Sequence, residues 1–485
     1  MSTNPLPGKH VSALILGSGQ SGTPLAVALA NAGRSTALVE RADLGGTCVN
    51  VGCTPTKTMI ASGRVAHLAS RASEYGVFQG RVGEGIAPAV DMERVRERKR
   101  GVVERWRKGS ERRVEGVVGL EVLRGEARFV GERVVRVVLR DGGEVEVEGE
   151  EVFVDVGERP AEIELPGLEG LGVGRVLDST SVMELGEVPE RLVVVGGGYI
   201  GMEFGQLFRR LGSKVVILQR GKQLLPREDP EVAQALLEIC QEEGMDIILN
   251  ATTTQVSPNG SRDSAFSLQY RTCDNTLHKT HGTHLLLATG RMPNTDSLNL
   301  SAANIKTTPR GHIIVSETLQ TSAPHVYALG DCHGGPAFTH VSYDDYRILR
   351  ANLIEKSPTP ASTAQRQDQT PYVVYTDPQL GHVGLHEAEA RAKFPSKQIK
   401  TATMPMASVA RAVETAETRG LMKAVVDGES GLILGFTCLG IEGGEIMSLV
   451  QTAMMGELPW WRLRDAVYAH PTLAEGLNNL WGYLK

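Results

Sequence analysis

One pattern occurs twice in this chain, and it leaves few folds open. Gly17 to Gly22 (GSGQSG) and Gly196 to Gly201 (GGGYIG) both read G-x-G-x-x-G. Each copy has the context that gives the motif its meaning. The apolar run from Val11 to Leu16 predicts a buried parallel strand, a helix is predicted over Thr23 to Ala32 and closed by Gly33, and a second strand, TALVE, ends in Glu40. The later copy, RLVVVGGGYIGMEFGQLFRRLGSKVVILQR, repeats strand, loop, helix and strand. In such a unit the first glycine (Gly17, Gly196) permits the tight turn. The second (Gly19, Gly198) lets the backbone approach a pyrophosphate at the helix N-terminus, and the third (Gly22, Gly201) lets helix and strand pack closely. The reading is an α/β chain with two Rossmann-like dinucleotide-binding domains, and two such sites imply electron transfer between two cofactors.

The residue that closes the second strand separates the copies. Glu40 lies about 23 residues after the first glycine and is placed to accept from a ribose 2′-hydroxyl. The same count of about 23 from Gly196 reaches Gln219, followed by Arg220. A carboxylate there would repel a 2′-phosphate. An amide tolerates it, and Arg220, with Lys222 or Arg227, can form charge-assisted hydrogen bonds to its oxygens. NADPH is therefore expected ahead of NADH at the second site.

Immediately after the first copy comes GGTCVNVGCTPTK, Gly45 to Lys57. Cys48 and Cys53 could close a small disulfide loop if a distorted helix start brings their Cα atoms within about 4.4–6.8 Å; two buried structural cysteines are the alternative. A nearby helix N-terminus and Lys57 would each lower a thiol pKa. The remaining cysteines, Cys240, Cys273, Cys332 and Cys438, lack metal-ligand spacing, so packing is their expected role and no metal site is predicted.

A chain of 485 residues, 41% hydrophobic with net charge −6, gives no reason to expect a nucleic-acid partner. The basic stretch within a helix predicted from Asp91 to about Val118 interleaves acids with its arginines, as a solvated helix face does, and Trp106 on it is expected to pack. A further helix is expected from Thr56 to Ser73, and alternation from Glu121 to Val156 predicts a small antiparallel meander. The start, MSTNPLPGKH, is short and polar for a signal peptide, and no run reaches the roughly 18 apolar residues of a membrane span, so a cytoplasmic protein is expected. A Pro/Ser/Thr/Gln-rich linker, Lys356 to Thr370, marks a domain boundary.

The run GGTCVNVGCTPTK resembles the redox-active segment of the class I pyridine nucleotide-disulfide oxidoreductases, the flavoprotein family of glutathione reductase, dihydrolipoamide dehydrogenase and mercuric reductase, and the resemblance covers nearly the whole chain. It implies an FAD-binding domain over 1–160 and 291–360, an NAD(P)H-binding domain over 161–290 and an α+β dimerisation domain over 366–485. By the same resemblance Cys48 and Cys53 form the redox disulfide, Lys57 pairs with Glu203, and Tyr199 shields the flavin. His470 and Glu475, in AHPTLAEGLN, are the acid/base pair, contributed by the other subunit of a homodimer. Gly46, Thr47, Gly157, Gly290, Arg291, Gly330 and Asp331 would contact the cofactors, with Val156 standing where relatives carry a threonine. The C-terminal cysteine pair of mercuric reductases is missing. Phe338 to Arg350 and Leu225 to Pro230 look most like the subgroup containing the bacterial reactive-chlorine-resistance flavoprotein, which implies a metal-ion acceptor, Cu(II), or another small oxidant. A diaphorase or oxidase, a glutathione reductase-like or dihydrolipoamide dehydrogenase-like enzyme, and a flavoprotein that acts by docking to a larger complex are the alternatives.

Overall fold

The computed structural model describes residues 8–78, 89–261 and 264–485. The chain divides into two compact units, one built from residues 1–58, 97–161 and 290–367, the other from 59–96, 162–289 and 368–485.

The first unit starts with β1 (Gly8–Leu16), α1 (Gly22–Asn31) and β2 (Thr36–Glu40). Leu14, Ile15 and Leu16 are buried because β1 is central, parallel to β2 on one side and to β5 (Glu144–Val154) on the other. Leu25, Ala26 and Leu29 of α1 pack on Ile15 and Leu38, which sets the glycine loop over the carboxyl end of β1. Two helices follow, α2 (Gly46–Asn50) and α3 (Cys53–Ser70), so the second helix begins at Cys53 itself rather than at Thr56. The charged helix α4 (Met92–Val114) is four residues shorter at its C-terminus than the periodicity suggested, and Trp106 is 53% exposed instead of packed.

The expected meander is only half of what its residues do. β3 (Leu120–Phe129) pairs in parallel with β2 through Arg124, then turns antiparallel to β4 (Val134–Leu139). β5 begins antiparallel to β4 and ends as a parallel neighbour of β1. Its sequence carries both roles: EVEVEG alternates, as a strand with one wet face must, and VFV is buried on both faces. β6 (Glu158–Pro160) follows.

The second unit repeats the plan with β7 (Val176–Leu177), β8 (Arg191–Val195), α5 (Tyr199–Leu211), β9 (Lys214–Leu218), α6 (Pro230–Glu242), β10 (Asp246–Ile248) and, after the antiparallel set β11 (Thr252–Ser261), β12 (Ser264–Arg271) and β13 (Leu277–Gly282), β14 (His284–Leu287). Its sheet is wholly parallel, in the order β10-β9-β8-β14-β7. The chain then returns to the first unit through β15 (Arg291–Pro293), antiparallel to β6, and β16 (Val326–Ala328), parallel to β5, followed by α7 (Thr339–Leu349). The linker is pinned: Arg366 meets Asp344 at 2.9 Å and Asp345 at 2.6 Å.

The C-terminal part of the second unit contains β17 (Tyr372–Val374), β18 (Gln379–Gly384), α8 (Glu387–Lys393), β19 (Ile399–Pro405), α9 (Ala410–Glu414), β20 (Leu421–Asp427), β21 (Ile433–Gly440), α10 (Gly443–Met455), α11 (Trp460–Arg464) and α12 (Gly476–Leu480). The strands form one antiparallel sheet, β17-β18-β21-β20-β19, over a core that includes Val383, Phe436, Val450 and Leu477. Arg210 of α5, nearly buried, bridges Glu243 at 2.7 Å and Asp377, and so ties the nucleotide lobe to this sheet. Among the described residues no helix is long and apolar enough to cross a membrane.

Candidate active site and the two dinucleotide loops

The cysteine segment rests on the first glycine loop. A Cβ added at Gly46 would lie 2.7 Å from the Cα of Gly19, so the two backbones touch at a place where no other residue fits. Gln20 Nε2 donates to the Gly45 carbonyl at 3.0 Å, and Asn50 Nδ2 reaches the carbonyls of Leu44 and Gly46 at 3.1 and 3.0 Å. This seat places Cys48 in α2 and Cys53 at the start of α3, with the bend at Val51 and Gly52 between them. Cys48 is half-buried and Cys53 is exposed. The Thr339 hydroxyl donates to Cys48 Sγ at 3.0 Å and lies 3.6 Å from Cys53 Sγ.

At Cys48 the expected lowering by Lys57 is present and is outweighed. The pKa of this thiol is pushed well above the usual thiol value, first by the hydrogen bond to Cys53, then by burial and by the charge of Cys53; Thr339 and Lys57 pull the other way and lose. Two adjacent thiols share one easily formed thiolate, because a second negative charge beside the first is repelled.

Around the first loop every glycine has a reason. A Cβ at Gly17 would come within 2.2 Å of the Asp155 carbonyl, and one at Gly22 within 2.2 Å of the Gly17 carbonyl. Glu40 braces the loop, accepting from Ser18 N–H at 3.0 Å, from its hydroxyl at 2.5 Å and from Ala42 N–H at 2.6 Å. Beneath it lies Asp155, which accepts from Gly22 N–H at 2.7 Å and from Ser21 Oγ at 3.1 Å. Burial holds this carboxyl well above the usual range, helped by Asp331 and Asp345. Thr47 stands beside Gly157, and Arg291 donates to the Glu158 carbonyl at 2.7 Å. Gly330 takes a positive φ and donates to Asp345 at 2.7 Å, and burial raises the neighbouring Asp331 to about 6.

The second loop repeats the sterics with other chemistry. A Cβ at Gly196 would meet the Ala288 carbonyl at 2.3 Å, and one at Gly201 would meet the Gly196 carbonyl at 1.9 Å, whereas Gly198 faces open space and Gly290 does too. Gln219 holds the Gly197 N–H at 3.0 Å and donates to the Gln223 carbonyl at 3.1 Å. Arg220, Lys222 and Arg227 are exposed along the stretch that follows. Tyr199 opens α5 with its ring 5.9 Å from that of Tyr372. Glu203 is buried and accepts from Tyr375 N–H at 2.9 Å. Near the C-terminus His470, 66% exposed at its side chain, is held through Nδ1 by Glu475 at 2.9 and 3.1 Å.

Thr339 and Asp155 escaped the sequence reading. Thr339 sits in a segment noted only for its overall likeness. Asp155 had a visible signal, an acid ending the apolar run VFV, but attention fell on Val156 beside it. Cys332 is buried, its sulfur 3.2 Å from the Leu329 carbonyl, in the packing role expected; Cys273 is exposed.

Comparison with known proteins agrees with this geometry. Residues 11–345 match the pyridine nucleotide-disulphide oxidoreductase family and residues 370–480 match that family's dimerisation domain. The chain is 35% identical over 475 residues to the probable pyridine nucleotide-disulfide oxidoreductase RclA of Escherichia coli K12, covering 98% of this chain and 99% of that one. It is 33% identical over 468 residues to a Staphylococcus aureus mercuric reductase, covering 96% of this chain and 81% of that one. Among solved structures, the Cu(II) complex of the HOCl-induced flavoprotein disulfide reductase RclA from Escherichia coli superposes with a TM-score of 0.86 at 34% identity, over 98% of this chain and 99% of that one.

Proposed function

Because the chain belongs to the pyridine nucleotide-disulphide oxidoreductase family, we propose that it is a homodimeric, FAD-dependent NADPH oxidoreductase whose Cys48–Cys53 pair reduces a metal ion or small oxidant, Cu(II) ahead of glutathione disulfide and lipoamide. The observation that carries this reading is the Cys48–Thr339–Cys53 cluster seated directly on the first glycine loop. FAD bound there would supply a two-electron relay between the nicotinamide and the cysteine pair. The residues present fit such a group: Glu40 stands behind the first glycine loop, and beside Gly157 a Cβ would have only the Thr47 hydroxyl near it, at 4.0 Å.

The chain's own residues then divide the work. Reduction of the disulfide takes an electron pair and two protons, one arriving with the hydride and one from solvent. Cys53 is assigned to the flavin side and Cys48 to the acceptor. The Thr339 hydroxyl steadies a charge on Cys48, as its lowering effect on that thiol indicates. Glu475 fixes His470 with its proton on Nδ1, which leaves Nε2 to carry protons to and from Cys48. Arg220 is assigned as the reader of the 2′-phosphate. The likeness to RclA, crystallised with Cu(II), favours the metal-ion acceptor.

An acceptor screen on the NADPH-reduced enzyme tests the substrate, with saturable Cu(II) turnover expected; efficient reduction of glutathione disulfide or lipoamide with weak copper activity would overturn it. Cys48→Ser should leave a thiolate at Cys53 and a long-wavelength charge-transfer band without reductant, and Cys48→Ala that keeps turnover would indicate a diaphorase instead. Inactive Cys48→Ser and His470→Ala subunits, once exchanged, should recover activity if the site is shared between subunits; confirmed exchange with none places it within one chain.

A further inference from the structure

Within the second unit, three buried residues from distant parts of the sequence turn metal-ligating atoms toward one another. Glu228 ends the stretch after β9, His382 lies in β18 and His386 precedes α8; they are 4%, 2% and 7% exposed, and one ligand atom from each lies within 4.8 Å of those of the other two. The imidazole rings stack with centroids 3.9 Å apart.

The hydrogen bonds show where the lone pairs are. A carbonyl can only accept, so the 3.0 Å contact to Gly384 O makes His382 Nε2 the protonated nitrogen and leaves Nδ1 basic, with only the Thr437 hydroxyl on it at 2.7 Å. Tyr372 gives its one proton to Glu228 Oε1 at 2.5 Å. Its oxygen is then an acceptor for His386 Nε2 at 3.2 Å, and Nδ1 of that ring is basic too. His386 Nδ1 approaches the first turn of α8 without closing a hydrogen bond of good geometry, and its nearest carboxylate, Asp229, is 3.9 Å away. Glu228 Oε2 is buried with no partner at all. Buried polar atoms left unsatisfied in this way are uncommon and destabilising, and a cation would satisfy both at once. The bond from His382 Nε2–H to a backbone carbonyl is the arrangement that fixes a metal-ligating imidazole.

We propose that Glu228, His382 and His386 form a His2Glu site for a borderline divalent transition ion of the Zn2+ type, which shares no residue with the cysteine pair. Two neutral imidazoles and one carboxylate suit such an ion better than Ca2+ or Mg2+, which prefer oxygen ligands. The Thr437 hydroxyl swings aside from His382 and a water completes four coordination. Occupancy staples the stretch carrying Arg227 and Glu228 to β18 and the start of α8.

Zn2+, which cannot be reduced by the enzyme, is the probe. The full-length flavin-loaded protein carrying Cys48→Ser and Cys53→Ser, so that no active-site thiolate competes, is dialysed against micromolar Zn2+ and its metal content measured. One tightly held ion per chain is expected, with a rise in thermal midpoint. Glu228→Gln, which keeps the acceptor for Tyr372, and His382→Ala or His386→Ala should each weaken binding at least about tenfold and abolish the midpoint rise. Tyr372→Phe should retain the ion, because it frees Glu228 and His386 rather than removing them. Co2+ in place of Zn2+ should give visible bands that the three ligand variants lose. No stoichiometric ion, binding unchanged in those variants, or equal loss in Tyr372→Phe would overturn the assignment.

Discussion

The two glycine loops share their steric skeleton and differ in what lies under and behind them. In both, the first glycine sits against the carbonyl that ends a neighbouring strand and the third sits against the first, so both turns are forced by contact. Below the first loop the carboxyl of Asp155 fills the space and ties down Gly22; at the corresponding place the second loop has Ala288, and Gly198 faces open space. Behind the first loop is a carboxylate, Glu40, and behind the second an amide, Gln219. The first is closed and braced from every side, as suits a group that stays. The second is more open at Gly198, as suits a cosubstrate that must leave at each turnover. On the proposed assignment of FAD to the first loop and NADPH to the second, one motif serves residence and exchange through residues outside it.

The largest effect comes from breaking the steric skeleton. Gly22→Val should yield a colourless protein that does not take up FAD. Gly201→Val should remain yellow and accept electrons from dithionite but not from NADPH, with the nicotinamide-driven rate down at least about a hundredfold. A Gly201→Val enzyme that still reacts with NADPH would sink the assignment of the second loop.

Next comes the residue behind each loop. Gln219→Glu should shift the ratio of kcat/KM for NADPH over NADH toward NADH by about a hundredfold, and Arg220→Ala should lower NADPH use alone by about tenfold. Equal loss for both nucleotides would mean that neither side chain reads the phosphate. The mirror change, Glu40→Gln, makes the first loop resemble the second. Ser18 then loses a charge-assisted acceptor, and FAD should dissociate about tenfold faster, measurable by flavin fluorescence on dilution.

The smallest effect sharpens the contrast below the loops. Burial raises the Asp155 carboxyl, so the folded chain keeps a proton that the unfolded chain releases. Stability from this group is complete below about pH 4 and is lost as pH climbs through the raised value. Asp155→Asn preserves an acceptor for Gly22 and removes the titration. Its thermal midpoint should exceed that of the parent by roughly 1–3 °C at pH 8 and match it at pH 4. A constant difference across that range would show that the carboxyl is ionised throughout.

These contrasts also show where sequence is informative. The loops and the strand and helix after each were readable because each depends on spacing along a single stretch, and the His470–Glu475 contact because the family resemblance named both residues. Gln219 against Glu40 was readable by counting. Thr339 between the thiols was not, since 286 positions separate it from Cys53 and only the fold brings them together. The same holds for Glu228 with His382 and His386. Trp106 misled because an aromatic on a periodic helix usually packs, and here it falls on the charged face. At Cys48 the sign of the Lys57 effect was readable, and the larger opposing effect of the second sulfur was not.

The contact between Gly46 and Gly19 makes the readiness of the thiols conditional. Because the cysteine segment has the nucleotide loop as its floor, a newly made chain that has not yet captured its flavin holds the pair by that loop's protein contacts alone. Its cysteines should then be alkylated quickly and without discrimination between them. The order of maturation follows: the two sulfurs are told apart only after the means of reducing them has arrived, and a molecule that loses its flavin loses that distinction in the same event.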